Sequence, residues 1–203
     1  MRPLGRIRTA LVAVIAPIGI VQAQDAAKPG GSGLFLGFGV EATTLSYRPA
    51  TGGDTSHSGS GGALTIGYGF GPRWALFGRF SGATLLASDG NYSAGNADIG
   101  GRLLFRNDRA VMPFIHFGVS GTSETHRLDD GTGRHTYESS GGAVFFGGGV
   151  AAHFNRQFAF VASLTLAGGQ YTLFRRDKVD IVSSALPTSS SRLHLGLLWY
   201  PKG

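Results

Sequence analysis

The chain has 203 residues, 34 of them glycine and none cysteine, with 42% apolar and only 15% charged residues. The missing cysteines exclude a disulfide scaffold and a thiolate metal site, and 11% aromatics with so little charge excludes intrinsic disorder. The formal charge of +6 is partly concentrated at the start: Arg2, Arg6 and Arg8 lie in the first 23 residues, which hold no acid, so the rest carries 15 basic against 12 acidic groups, no case for nucleic-acid binding.

Residues 1–23 read as a cleaved secretory signal peptide. The three arginines precede an uncharged, mostly apolar run at 10–21, and Val21-Gln22-Ala23 supplies the cleavage site. The run is about a dozen residues long and contains Pro17, short of the about 20 that a helical span needs. Residues 24–32 form a short linker. From 33 to 200 the repeating signal has period two, and glycine recurs too often for stable helices.

Taken in chain order, apolar residues occupy alternate positions in eight segments. These are Leu34, Leu36, Phe38, Val40 and Ala42; Leu64, Ile66, Tyr68 and Phe70; Trp74, Leu76 and Phe80; and Ala97, Ile99, Leu103 and Phe105. Then come Val111, Ile115, Phe117 and Val119; Val144, Phe146, Val150 and Phe154; Phe158, Phe160, Leu164 and Leu166; and Leu193, Leu195, Leu197 and Trp199. Successive side chains of a strand point to opposite faces, so each set marks one face of one strand. Short polar connections at 71–73, 106–110 and 155–157 alternate with longer ones at about 48–59, 86–93, 122–140 and 171–190, which are rich in Gly, Asp, Asn and Ser. The pattern predicts an all-β, eight-stranded antiparallel up-and-down barrel with both ends of the chain on the short-turn side, the layout of bacterial outer-membrane barrels.

Charge placement identifies which face meets lipid. No Asp, Glu, Lys or Arg falls in the apolar register of any segment, whereas the opposite register holds Glu41, Arg79, Asp98, Arg102 and Arg192, with His116, His153 and His194. A lipid-facing Arg or Lys costs about 2–4 kcal/mol at mid-bilayer; a soluble lipocalin-like barrel would show the reverse order. The inner register also takes Gly37, Gly39, Gly67, Gly69, Gly100, Gly118, Gly147, Gly149 and Gly196, which make room for large neighbours in a narrow interior. No helix-opening glycine fingerprint or P-loop lysine accompanies them. The aromatics Phe70, Trp74, Phe105, Phe154, Phe158 and Trp199 cluster beside the short turns and predict a girdle at the periplasmic boundary. Pro113, which lacks a ladder donor, sits near the start of its strand at the rim.

In these features the chain resembles the small eight-stranded outer-membrane proteins, such as the OmpA membrane domain and OmpX, over about residues 33–200. The run His194-Leu195-Gly196-Leu197-Leu198-Trp199-Tyr200 resembles the C-terminal signal by which such barrels engage the barrel-assembly machinery, although here Pro201-Lys202-Gly203 follows. The resemblance implies an outer-membrane location among membrane lipids and lipopolysaccharide, with no cofactor; the peptidoglycan-binding domain that OmpA proteins carry is not expected after the last strand.

Inside a narrow lumen ionised groups must pair. Glu41 on the first strand is placed to meet Arg192 on the last, and Asp98 shares a strand with Arg102 beside Arg79. These five are the candidate members of a plug of ion pairs that leaves no wide pore. The expected role is structural or surface-interacting and non-enzymatic; a lipid A or phospholipid acyl-modifying enzyme or a small-solute channel are the competing readings. Acyl chemistry needs a serine beside a base. His116 and Ser120 are about 13 Å apart along one strand, and the His-x-Ser of lipid A deacylase barrels is absent, which leaves cross-strand pairs such as His153 with Ser163. Metal binding by His126 and His135 with Asp129 and Asp130 on the third long loop is a weak reading, because loop carboxylates are usually solvated, and no metal site is expected. A surface ligand would bind through the loops at 122–140 and 171–190.

Overall fold

The computed structural model describes residues 32–47, 55–86, 91–105, 110–129, 133–181 and 185–201. The expected signal peptide, nearly all of the linker and Asp130 lie outside these residues. The strands are β1 (Ser32–Tyr47), β2 (Thr55–Phe70), β3 (Trp74–Leu86), β4 (Asn91–Leu104), β5 (Val111–Asp129), β6 (Arg134–His153), β7 (Phe158–Arg176), β8 (Val179–Ile181) and β9 (Leu186–Trp199). Each of β1 to β7 pairs antiparallel with the next, and β9 pairs with both β7 and β1, so the sheet closes. The short β8 pairs with the top of β7 alone and was not expected from the periodicity.

Register fixes the barrel's shape. Following cross-strand partners from Phe35 leads through Gly67, Phe77, Gly100, Gly118, Phe145, Ala167 and Ser190 back to β1 at Leu45. One circuit therefore climbs ten residues of β1, from 35 to 45. With strands about 4.8 Å apart and about 3.3 Å of rise per residue, that shear tilts eight strands by about 41° and gives a backbone diameter of roughly 17 Å.

The alternating hydrophobes face outward. Phe38, Leu64, Phe80, Ile99, Val119, Val144, Phe160 and Leu195 are all exposed, as are Phe70, Trp74, Phe105, Phe154 and Trp199 at the short-turn end, where Phe158 is half-buried and stacks on Phe154. The apolar outward run covers residues 34–42, 97–105 and 111–119 on three of the strands. Nine residues tilted by about 41° span roughly 22 Å, close to the height of the apolar band in such barrels.

Four boundaries need correction. Residues 122–140 and 171–190, expected as loops, are mostly strand: β5 runs to Asp129, β6 starts at Arg134, β7 runs to Arg176, and β8 and β9 fill most of the rest. The ladder also extends into 55–59 and 91–93. Above the hydrocarbon both faces of a strand meet polar surroundings, so pairing continues while the period-two hydrophobic signal stops. β5, β6 and β7 are the tallest strands and form a raised wall. At its top, β7 turns into β8 through Asp177 and Lys178, both in the left-handed region (φ 50° and 70°), the conformation of a two-residue hairpin turn. Asp177 ties this turn to β6: its carboxylate accepts from the Thr136 N–H at 2.9 Å and contacts His135 Nδ1 at 2.7 Å. The Thr136 N–H bond holds that carboxyl below its ordinary range.

At the opposite end the turns are tight. Gly71, at φ 132°, takes a conformation open to glycine. Asn155 Oδ1 accepts from the N–H groups of Gln157 and Phe158. Pro113 faces outward at the rim of β5, and its carbonyl accepts from the Phe105 N–H.

Candidate functional site

Inward side chains stack in three storeys. The middle one is ionic. Glu41, Arg79, Asp98 and Arg192 converge from β1, β3, β4 and β9, and all are buried, Arg192 with 0% exposure and Arg79 with 2%. Arg192 forks onto Asp98, Nη1 to Oδ2 at 2.8 Å and Nη2 to Oδ1 at 3.2 Å. The Ser120 hydroxyl donates to Asp98 Oδ1 at 2.6 Å, and Arg79 lies directly across the β3–β4 ladder from Asp98. Arg79 Nη1 also approaches Glu41 Oε2 at 3.9 Å. The expected Glu41–Arg192 contact is not formed. In the β1–β9 register Glu41 sits opposite His194 and Arg192 opposite Thr43, and the guanidinium crosses the lumen to Asp98, where it finds two acceptor oxygens in fork geometry.

Arg102 departs from the expected pairing as well. Among the described residues no carboxylate reaches it. It occupies the lower storey, its guanidinium carbon 4.3 Å from the ring centre of Phe114, 5.3 Å from Phe77 and 5.6 Å from Phe35. Aromatic faces attract a desolvated cation and here stand where a carboxylate was expected. Beside them Tyr200, Met112 and His153 line a cavity of only about 20 Å³, room for about one water.

Glycines permit this filling. The Phe145 ring lies across Gly100 and Gly118, 2.8 Å from where a Cβ would stand on either. Phe35 occupies the equivalent space at Gly67, and His116 that at Gly147.

The serines and histidines are spread among other partners. Ser120 is held by Asp98, and His116 Nε2 bonds Thr165 Oγ1 at 2.9 Å. His153 and Ser163 are not brought together: their register partners are Ala159 and Gly149 on the β6–β7 ladder. Ser163 instead lies opposite His194 on β9, with no hydrogen bond to its hydroxyl among the described residues. His126 and His135 belong to strands β5 and β6, His126 stacked on Tyr92 and His135 bound to Asp177. Among the described residues no group of three or more metal-binding side chains converges.

The upper storey is aromatic, and sequence periodicity did not single it out. Rings follow one another around the mouth: Tyr47 to His57 at 5.9 Å, His57 to Tyr92 at 4.4 Å, Tyr92 to His126 at 3.9 Å, His126 to Tyr137 at 6.2 Å. Of these, Tyr47, Tyr92, His126 and Tyr137 surround, with Tyr171, Glu124, Ser139 and Leu186, a cavity of about 230 Å³. Glu124 is 8% exposed, and its Oε1 has no hydrogen-bond partner among the described residues. The outward residues at this height are Ser93, Ser123, Thr125 and Glu138, so the storey stands above the hydrocarbon. Burial pushes the Glu124 carboxyl up to about 7. The sequence signal was available: each ring continues the inward register of its strand, but all except Tyr47, at the edge of one, fall inside segments whose polarity read as loop.

A closed eight-stranded barrel with an outward apolar band, inward ions and an aromatic girdle at one rim is an integral outer-membrane β-barrel. The chain belongs to the outer membrane protein beta-barrel domain family, which matches residues 10–181. In fold it is similar to Neisserial surface protein A (NspA), at 12% identity and TM-score 0.59, covering 83% of this chain and 97% of that one. It is similar to Ail, the attachment invasion locus protein of Yersinia pestis, solved with the heparin analogue sucrose octasulfate: 15% identity, TM-score 0.52, coverage 83% and 99%. The outer membrane protein OprG of Pseudomonas aeruginosa matches at 10% identity and TM-score 0.51, coverage 86% and 97%. No curated protein matches the sequence.

Proposed function

We propose that this protein is a non-conducting barrel that works at the cell surface, exposing the raised wall of β5, β6, β7 and β8 to its surroundings. The observation that carries this reading is the ionic storey. Four buried ionised side chains from β1, β3, β4 and β9 cross the lumen at mid-height, in a barrel whose interior is only about wide enough for side chains. A diffusing solute would have to separate Arg192 from Asp98, leaving charge unpaired at a penalty of several kcal/mol. The wall offers Arg127, Glu138, Arg175, Arg176, Lys178 and Asp180 to water, charges suited to a polar partner and unsuited to lipid.

A non-enzymatic role is part of the proposal. Ser120 and His116 are engaged by Asp98 and Thr165, which supports reading the inward serines and histidines as lumen polar groups. Planar bilayers carrying the purified barrel test the plug: steady large conductance steps contradict it. Mass spectrometry of lipid A from expressing cells should show unchanged acylation. Shortening the wall at 127–136 and 175–181 is expected to abolish surface attachment while leaving the heat-modifiable gel shift of the folded barrel intact.

A further inference from the structure

The upper storey combines two features that point to one ligand chemistry, independently of whether the lumen conducts. The first is an aromatic enclosure. Tyr47, Tyr92, Tyr137 and Tyr171 with His126 line the cavity of about 230 Å³, room for a small organic molecule and not merely for one or two waters. The second is a carboxylate with no counter-ion among the described residues: Glu124 lines the same cavity, more than nine-tenths buried, with its Oε1 unbonded. Above the middle storey its β4 and β6 register neighbours are Ala94 and Ser139, neither able to neutralise it. Arg176, on the belt's outer side, lies over the Tyr137 ring at 5.5 Å and beside Asp177 at 3.9 Å, outside the cavity lining. Above the value of about 7 that burial gives Glu124, its carboxylate ringed by π faces favours a cation that sheds its water readily, and quaternary ammonium groups recognised by aromatic cages are the established example of that chemistry. A metal ion or lysine-like ammonium would need more oxygen ligands or water than these rings supply.

We propose that the mouth of the barrel is a binding site for a small organic cation of the trimethylammonium class, about seven non-hydrogen atoms in size, held by Glu124 and the tyrosine cage. Glu124 supplies the opposing charge, and Tyr137 and Tyr171 present surfaces to the methyl groups.

The test uses the full barrel at about pH 8.5, above the Glu124 value of about 7, in a maltoside detergent, which carries no ammonium group, titrated with choline chloride by isothermal calorimetry or by tyrosine-ring NMR shifts. Its uncharged isostere 3,3-dimethylbutanol and sodium chloride serve as comparison titrants. Saturable choline binding is expected, weakened at least about tenfold for the isostere and for Glu124→Gln and Tyr137→Leu, with cage-tyrosine resonances moving. Three results overturn the proposal: no saturable choline binding, equal binding of the isostere, or unchanged affinity in Glu124→Gln. The isostere comparison needs no variant, so it decides even if a substitution prevents folding.

Discussion

Asp98 is the group on which the middle storey depends, and removing its carboxylate is the most informative perturbation of the fold. Arg192 is fully buried and its fork of 2.8 and 3.2 Å ends on the two Asp98 oxygens. Ser120 donates to the same carboxylate, and Arg79 faces it across the ladder. At an effective dielectric constant of 20, unit charges about 4 Å apart attract by about 4 kcal/mol. Breaking one side of a buried pair typically costs 3–5 kcal/mol, because the survivor stays buried and uncompensated. Asp98→Ala is therefore expected to lose about 4 kcal/mol. Glu41→Ala should lose less than half of that, since its contact to Arg79 is 3.9 Å and has one leg. The double variant Asp98→Ala/Arg192→Leu should recover most of the loss, because no unpaired charge remains. Urea unfolding in lipid vesicles, followed by Trp74 and Trp199 fluorescence and by the gel shift, measures all three. A loss under about 1 kcal/mol for Asp98→Ala, or a double variant as unstable as the single, would refute the reasoning.

Leu195→Arg, within the apolar band, should lower stability by about 2–4 kcal/mol in vesicles, whereas Ser123→Arg above the band should lie within about 0.5 kcal/mol of the parent. Gly118→Ala puts a methyl against the Ile99 carbonyl oxygen and Gly100 Cα of the neighbouring strand as well as the Phe145 ring, backbone that cannot swing aside, and is expected to cost at least about 1–3 kcal/mol; Gly142→Ala, with nothing within 4 Å, should be neutral by the same urea assay. Glu124 makes stability pH-dependent. Its folded-state value near 7 lies above the ordinary 4.5, so the folded chain holds a proton that the unfolded chain releases, and stability falls as pH rises from about 4.5 to 7. Glu124→Gln should remove that slope, match the parent below pH 4.5, and be more stable at pH 8 by up to about 3 kcal/mol; an unchanged slope would contradict the assignment.

Legibility in the sequence followed the hydrocarbon. Where lipid touches one face, as at Leu34 to Ala42 or Ala97 to Phe105, the exclusion of charge imposes period two, and facing could be read directly. The inward placement of Arg79, Asp98 and Arg192 followed from the same parity. Their pairing did not, because partners in a closed barrel depend on shear: a ten-residue climb puts Arg192 within reach of Asp98 three strands beyond β1, while simple first-to-last-strand closure suggests Glu41. Arg102 was read as an ion-pair member because aromatic partners carry no charge signature. The mouth belt escaped notice for a related reason. Tyr92, His126 and Tyr137 lie where both strand faces are polar, so neither hydrophobic alternation nor turn chemistry marks the register they share.

The central claim is that the charge-free parity faces hydrocarbon. Because the chain has no cysteine, single cysteines carrying a nitroxide can be placed one at a time along β1, from 34 to 42, in refolded vesicles. Paramagnetic accessibility should alternate with period two, oxygen collisions being high at 34, 36, 38, 40 and 42 and low at the odd positions between them. Accessibility of the even positions to a water-soluble nickel chelate, with odd positions exposed to oxygen from the bilayer, would contradict the account.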